Sequence, residues 1–204
     1  MARLTTKEIK VRRQLGAVIA LIELASLTSL LVLIRQRVMP DKIGVLLVLL
    51  LPITFGLHVT EEFIFPGGFI GWDNIFRPRY TDTPASYYVK VNAIPGIASL
   101  LLALGSFDYV GNYSLPGIRG WLAFSTFLTW NAFFHVRGAV HTQRYSPGMV
   151  TGLLAFVPLT VISYIHFLGA GAIDGLSVVL CIAVALTIQP VLDFIKSRGL
   201  KKHA

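Results

Sequence analysis

Six stretches of about 20 apolar residues, near 15–34, 43–65, 91–107, 119–136, 149–168 and 175–192, constrain this chain more than any other feature. Runs of that length match the thickness of the bilayer hydrocarbon core. A backbone in hydrocarbon must satisfy its own hydrogen bonds, so each run is read as a helix. The polar stretches between them are too short for a separate soluble domain. The expected fold is therefore an all-α membrane protein, a single transmembrane domain over 1–204 built as a polytopic bundle of about six helices, N-in and C-in. Composition agrees: 54% of residues are apolar and 14% charged, against about 25% charged in soluble domains. The lone cysteine, Cys181, excludes an intramolecular disulfide and a thiolate cluster, so a bound metal must use nitrogen and oxygen ligands.

Orientation follows from Lys and Arg. With the N-terminus inside, Arg3, Lys7, Lys10, Arg12, Arg13, Arg77, Arg79, Lys90, Arg137, Arg144, Lys196, Arg198, Lys201 and Lys202 are cytoplasmic, whereas Arg35, Arg37, Lys42 and Arg119 are external. This asymmetry obeys the positive-inside rule and implies a multi-pass protein of the cell membrane with both termini cytoplasmic. It also accounts for the net charge of +8, since basic residues at helix ends meet anionic inner-leaflet lipid, and no nucleic-acid partner is implied.

Ionisable groups inside spans are expensive and tend to face a cavity or a partner. The second span ends in His58-Val59-Thr60-Glu61-Glu62, where helical spacing puts His58 on one face with the two glutamates. The fourth span carries Asn131 and His135 four residues apart, with His141 further on. Both spans run outward to inward in this topology, so these groups share the cytoplasmic end. Glu23 on the first span, Asn92 opening the third and Gln189 near the end of the sixth fall at similar depth. Blander roles are open to each: a solvated helix end for the glutamates, helix–helix hydrogen bonds for Asn131 and Gln189, and an interfacial position for His141 and His166. The segment 66–90, rich in Gly, Pro, Trp and Tyr, reads as a loop in the inner interface, either a connector or a lid.

His58-x-x-Glu61-Glu62, the later His135 and Tyr145-Ser146-Pro147-Gly148, taken in order, resemble the HXXEE family of integral membrane proteins from the second span to the fifth. The resemblance adds weight to these positions and names no reaction.

Two classes of function fit the residues. In a metal-dependent membrane enzyme, His58, Glu61, Glu62, His135 and His141 are candidate ligands for zinc or iron, both of which accept imidazole and carboxylate. A remaining glutamate would act as base, Asn131 would orient substrate and Tyr145 would donate a proton. The substrate would be a membrane lipid or other apolar small molecule reached from the inner leaflet, and the reaction hydrolytic or oxidative. The alternative is a proton-coupled transporter, or an accessory protein without catalysis, for which Pro52, Pro95, Pro158 and Pro190 suggest helix breaks near a binding site. Reporter tags fused at Met1 and at Ala204 are both expected to read cytoplasmic. An external signal from either end would overturn the topology.

Overall fold

The computed structural model describes residues 5–35, 41–78, 83–107 and 112–201, with side chains throughout except at 30, 33–35, 189 and 192–201. Within these residues the chain forms seven helices: α1 Thr6–Arg35, α2 Lys42–Phe63, α3 Phe69–Phe76, α4 Ala85–Leu104, α5 Leu115–Thr142, α6 Met149–Gly169 and α7 Gly175–Lys201. The described residues contain no strand, only an isolated bridge between Phe107 and Tyr113. Each apolar stretch of the sequence coincides with one of the six long helices. Three of these, α2, α4 and α6, are long and apolar enough to cross a membrane.

Two expectations need correction. The 66–90 segment is not a plain loop, because Phe69–Phe76 forms α3, with Ile70 and Trp72 buried. Nor do three of the prolines break their helices: Pro52, Pro95 and Pro190 lie inside α2, α4 and α7, whereas the α-helical register of α6 is interrupted by a π turn, Gly152–Phe156, just before Pro158. The reason is visible at Pro52. Proline has no N–H for the carbonyl four residues earlier, which here belongs to Val48. The indole of Trp121 on α5 donates to that oxygen at 3.0 Å, so the helix stays continuous and its orphaned acceptor is satisfied from a neighbour.

Contacts along α2 fix the directions of its neighbours. At one end Asp41 caps α2 by accepting from the amides of Ile43 and Gly44. Its other oxygen takes the Tyr113 hydroxyl, just before α5, and lies 2.5 Å from His166 Nε2 near the end of α6. At the far end, residues 58–62 meet 135–151. α5 therefore runs parallel to α2, and α6 returns antiparallel. Gly56 lies against the Glu23 carboxyl, and Gly96 against Ile22 and Phe55, so α1 and α4 also run against α2. Ser177 and Cys181 on α7 bond to Arg119 near the start of α5, which sends α7 parallel to it.

A ladder of hydroxyls joins α5 and α6. Thr129 donates to Thr160 at 2.9 Å, Thr160 to the Ser125 carbonyl at 3.1 Å, and Thr126 and Tyr164 share a bond of 2.9 Å. Such bonds link helices where apolar burial alone gives little preference between lipid and protein. At the centre of the bundle, Val48, Leu49, Leu51, Trp121 and Leu122 are wholly buried.

Replacing Trp121 by Phe should leave the Val48 carbonyl unpaired and cost about 1–3 kcal/mol, read as a lower thermal midpoint in detergent. Adding Pro52→Ala should recover part of the loss, because alanine restores the in-helix donor. Strictly additive effects would refute the account.

Candidate metal centre

The last turns of α2 deliver His58, Glu61 and Glu62 to the interior, each buried at 2–6% exposure, so all three must find partners within the protein. The two adjacent glutamates do so separately. A helix turns about 100° per residue, and here that rotation aims Glu61 at the start of α6 and Glu62 at α5.

Glu61 binds the turn between α5 and α6. Its Oε1 accepts from the Tyr145 hydroxyl and from the Val150 amide at 3.1 Å, and its Oε2 from the Thr151 amide at 2.7 Å and the Thr151 hydroxyl at 2.6 Å. The amides are the unpaired donors of the first turn of α6, a favourable place for negative charge. Partial desolvation and the neighbouring Glu61 carboxylate hold the Tyr145 phenol above its usual range, so Tyr145 serves as a donor here.

Glu62 faces two imidazoles. Its Oε1 lies 3.6 Å from His58 Nε2 and 3.3 Å from His135 Nε2, and the rings meet edge to face at 5.1 Å. The opposite ring nitrogens are each held by a hydroxyl: His58 Nδ1 by Thr151 at 3.0 Å and His135 Nδ1 by Ser146 at 2.9 Å. Thr151 spends its single proton on the Glu61 carboxylate, which leaves its oxygen to accept from His58 Nδ1–H. His58 is thereby set as the tautomer with a lone pair on Nε2, facing Glu62. Hydrogen bonding of the remote ring nitrogen is the usual support of a metal-binding histidine. His58, Glu62 and His135 each offer one ligand atom, all within 4.8 Å of one another.

Backbone and aromatics shape this cluster. Gly148 has φ of +98°, and a Cβ there would lie 2.7 Å from His58 Cε1, 2.8 Å from His135 Cε1 and 3.0 Å from Glu62 Cγ. Only glycine closes this turn over the imidazoles. On the other side α3 lays Trp72 against His135, stacked at 5.8 Å and 21°. Gly138, one turn further along α5, leaves the space that the indole fills. Arg77, at the end of α3, pairs with the fully buried Asp73 at 2.6 Å. A cavity of about 120 Å³ adjoins the cluster, lined by His58, Glu62 and Asn131 and walled by α4 through Val91, Asn92 and Pro95.

The structure thus unites His58, Glu62 and His135, with Asn131 Nδ2 3.4 Å from both Nε2 atoms. Glu61 and Tyr145 form the adjoining brace. The other sequence candidates lie outside the ligand group. His141 is exposed and meets the Phe76 ring at 5.7 Å. Glu23 is half-buried against Gly56, and the Gln189 side chain lies outside the described residues. Sequence reasoning gave no role to Thr151, Ser146 or Trp72. A hydroxyl in the first turn of an apolar helix after Tyr-Ser-Pro-Gly was the available signal for Thr151.

These features define an all-helical membrane protein with a buried two-histidine, one-carboxylate cluster. Residues 49–163, more than half of the chain, match the family described as a protein of unknown function with HXXEE motif. The chain belongs to that HXXEE family. Comparison with curated proteins and with solved structures gives no match. The matched region contains every member of the cluster and its brace.

Thr151→Val should unseat both Glu61 and His58, with an expected loss of about 1–3 kcal/mol for the buried acceptor left short of a donor. Tyr145→Phe removes a donor from a side chain that is 44% exposed and should cost less. Thermal midpoints in detergent test this order, and a reversed order contradicts the described brace.

Proposed function

We propose that this protein is a metal-dependent integral membrane enzyme that acts on a lipid or other apolar small molecule, by hydrolysis or oxidation, from the inner-leaflet side. The observation that carries the reading is the convergence of His58 Nε2, His135 Nε2 and Glu62 Oε1 in a buried pocket whose outer hydrogen bonds already orient the rings. Left without a cation, a carboxylate beside two imidazoles in a dry interior is costly. Two histidines and one carboxylate are a ligand set used by zinc in hydrolases and by non-haem iron in oxidases. When bound, such an ion would supply Lewis acidity or an activated oxygen nucleophile.

The chain's own residues supply the rest. Glu61 and Tyr145 fix the α5–α6 turn, Thr151 and Ser146 hold the rings, and Trp72 with Phe156 shields them from water. The adjoining cavity of about 120 Å³ favours a substrate that inserts only its reactive end. For comparison, an engineered cavity of about 150 Å³ holds one benzene. The body of an apolar substrate would then stay in the bilayer.

The alternating directions of the six long helices and the Lys and Arg asymmetry support six crossings with both ends cytoplasmic, and in that topology the cluster would lie at the inner leaflet. Metal analysis of purified protein tests the function. About one zinc or iron per chain is expected in the wild type, with loss in His58→Ala and in Glu62→Ala. A metal-free wild type that moves protons across vesicles would replace the enzyme reading with a carrier.

A further inference from the structure

The proposed metal reading leaves open how many protein ligands the ion would have, and four distances bear on this. A tetrahedral ion with bonds of about 2.0–2.2 Å separates its ligand atoms by about 3.3–3.6 Å. His58 Nε2 and Glu62 Oε1 are 3.6 Å apart, and His135 Nε2 and Glu62 Oε1 3.3 Å. The terminal amide atom of Asn131 stands 3.4 Å from His58 Nε2 and 3.4 Å from His135 Nε2. Four of the six edges of a tetrahedron are therefore present at coordination spacing, and Asn131 forms two of them.

We infer that Asn131 is the fourth metal ligand, through Oδ1. The atom now facing the imidazoles is Nδ2. An amide amino group has no lone pair for a cation, but its hydrogens suit imidazole lone pairs. His58 Nε2 carries such a lone pair, because Thr151 and Glu61 fix the proton on Nδ1. The oxygen and the amino group of a carboxamide exchange places by a half-turn at χ2 with almost no change in shape. Without an ion, the amino group bridges the rings. With an ion, the half-turn brings Oδ1 to the same place and completes the tetrahedron.

Asn131 also borders the cavity, unlike His135. It is the one neutral oxygen ligand of the set, so it is the arm that an incoming substrate oxygen would displace. His58, His135 and Glu62 would hold the ion throughout. This inference rests on the proposed metal reading, so its test must separate the two.

Cobalt(II) substitution does so without an activity assay, because four-coordinate cobalt absorbs visible light far more strongly than six-coordinate cobalt. Wild-type protein titrated with cobalt should give the intense four-coordinate spectrum. Asn131→Asp, which keeps an oxygen at the position, should retain the spectrum and bind at least as tightly. Asn131→Leu should bind on the order of tenfold more weakly or worse, with the band reduced as water enters the sphere. Its thermal profile before metal addition controls for folding, and Asn131→Ala, which also offers no ligand atom, serves if the leucine variant misfolds. Wild-type affinity and spectrum in the leucine or alanine variant would overturn the ligand role while leaving the metal site intact. A wild type that binds no cobalt, zinc or iron would remove the metal reading and this inference together.

Discussion

Two carboxylates on consecutive residues cannot share one compensating group on a helix, because the backbone turns them about 100° apart. Buried at the end of α2, Glu61 and Glu62 must be stabilised from two directions at once. That requirement organises the half of the structure around the end of α2. Glu61 draws in Tyr145 and the open amides of α6, which folds the α5–α6 turn back over the bundle. The turn in turn sets Gly148, Ser146 and Thr151 against the two imidazoles that face Glu62. Remove Glu61, and the position of both histidines loses its support even though neither touches that carboxylate directly.

The same accounting of buried polar groups explains the middle of the bundle. Pro52 strips a donor from α2, and Trp121 returns one from α5. Asp41 closes the opposite end by combining a helix cap with contacts to Tyr113 and His166. α2 is thus tied to α5 at three levels by polar contacts and otherwise packed by aliphatic side chains. Its central position follows from the number of backbone and carboxylate groups it must have satisfied by others.

Much of this was legible in the sequence, because apolar run length reports helices directly and His58, Glu62 and His135 stand out in hydrocarbon. Their parallel placement on α2 and α5 followed from counting turns of the chain. Less was legible where the outcome depends on rotation about a helix axis. Glu61 and Glu62 are equivalent as letters, and only the packed bundle assigns one to the imidazoles and the other to the Tyr145 brace. His141 stood as a possible fourth ligand further along from His135, but the six-residue offset turns it to the exposed face beside Phe76. The helix α3 was hidden by Pro66, Gly67, Gly68 and Pro78, which flank it, and by Gly71 within it. Thr151 and Ser146 act only through other side chains, and spacing does not reveal such roles.

The π turn at Gly152–Phe156 has a wider meaning for how α6 changes over time. Such a turn accommodates one residue beyond the α-helical count, so the first turn of α6 and the remainder are out of phase with each other. The first turn answers to Glu61 and His58, while the later part answers to the hydroxyl ladder on α5. Losing a single residue there would restore a uniform helix and force the two halves into one phase, which swings either Thr151 or Thr160 away from its partner. A one-residue deletion in this segment is therefore a more drastic lesion than most substitutions, and length variants among natural sequences should avoid it.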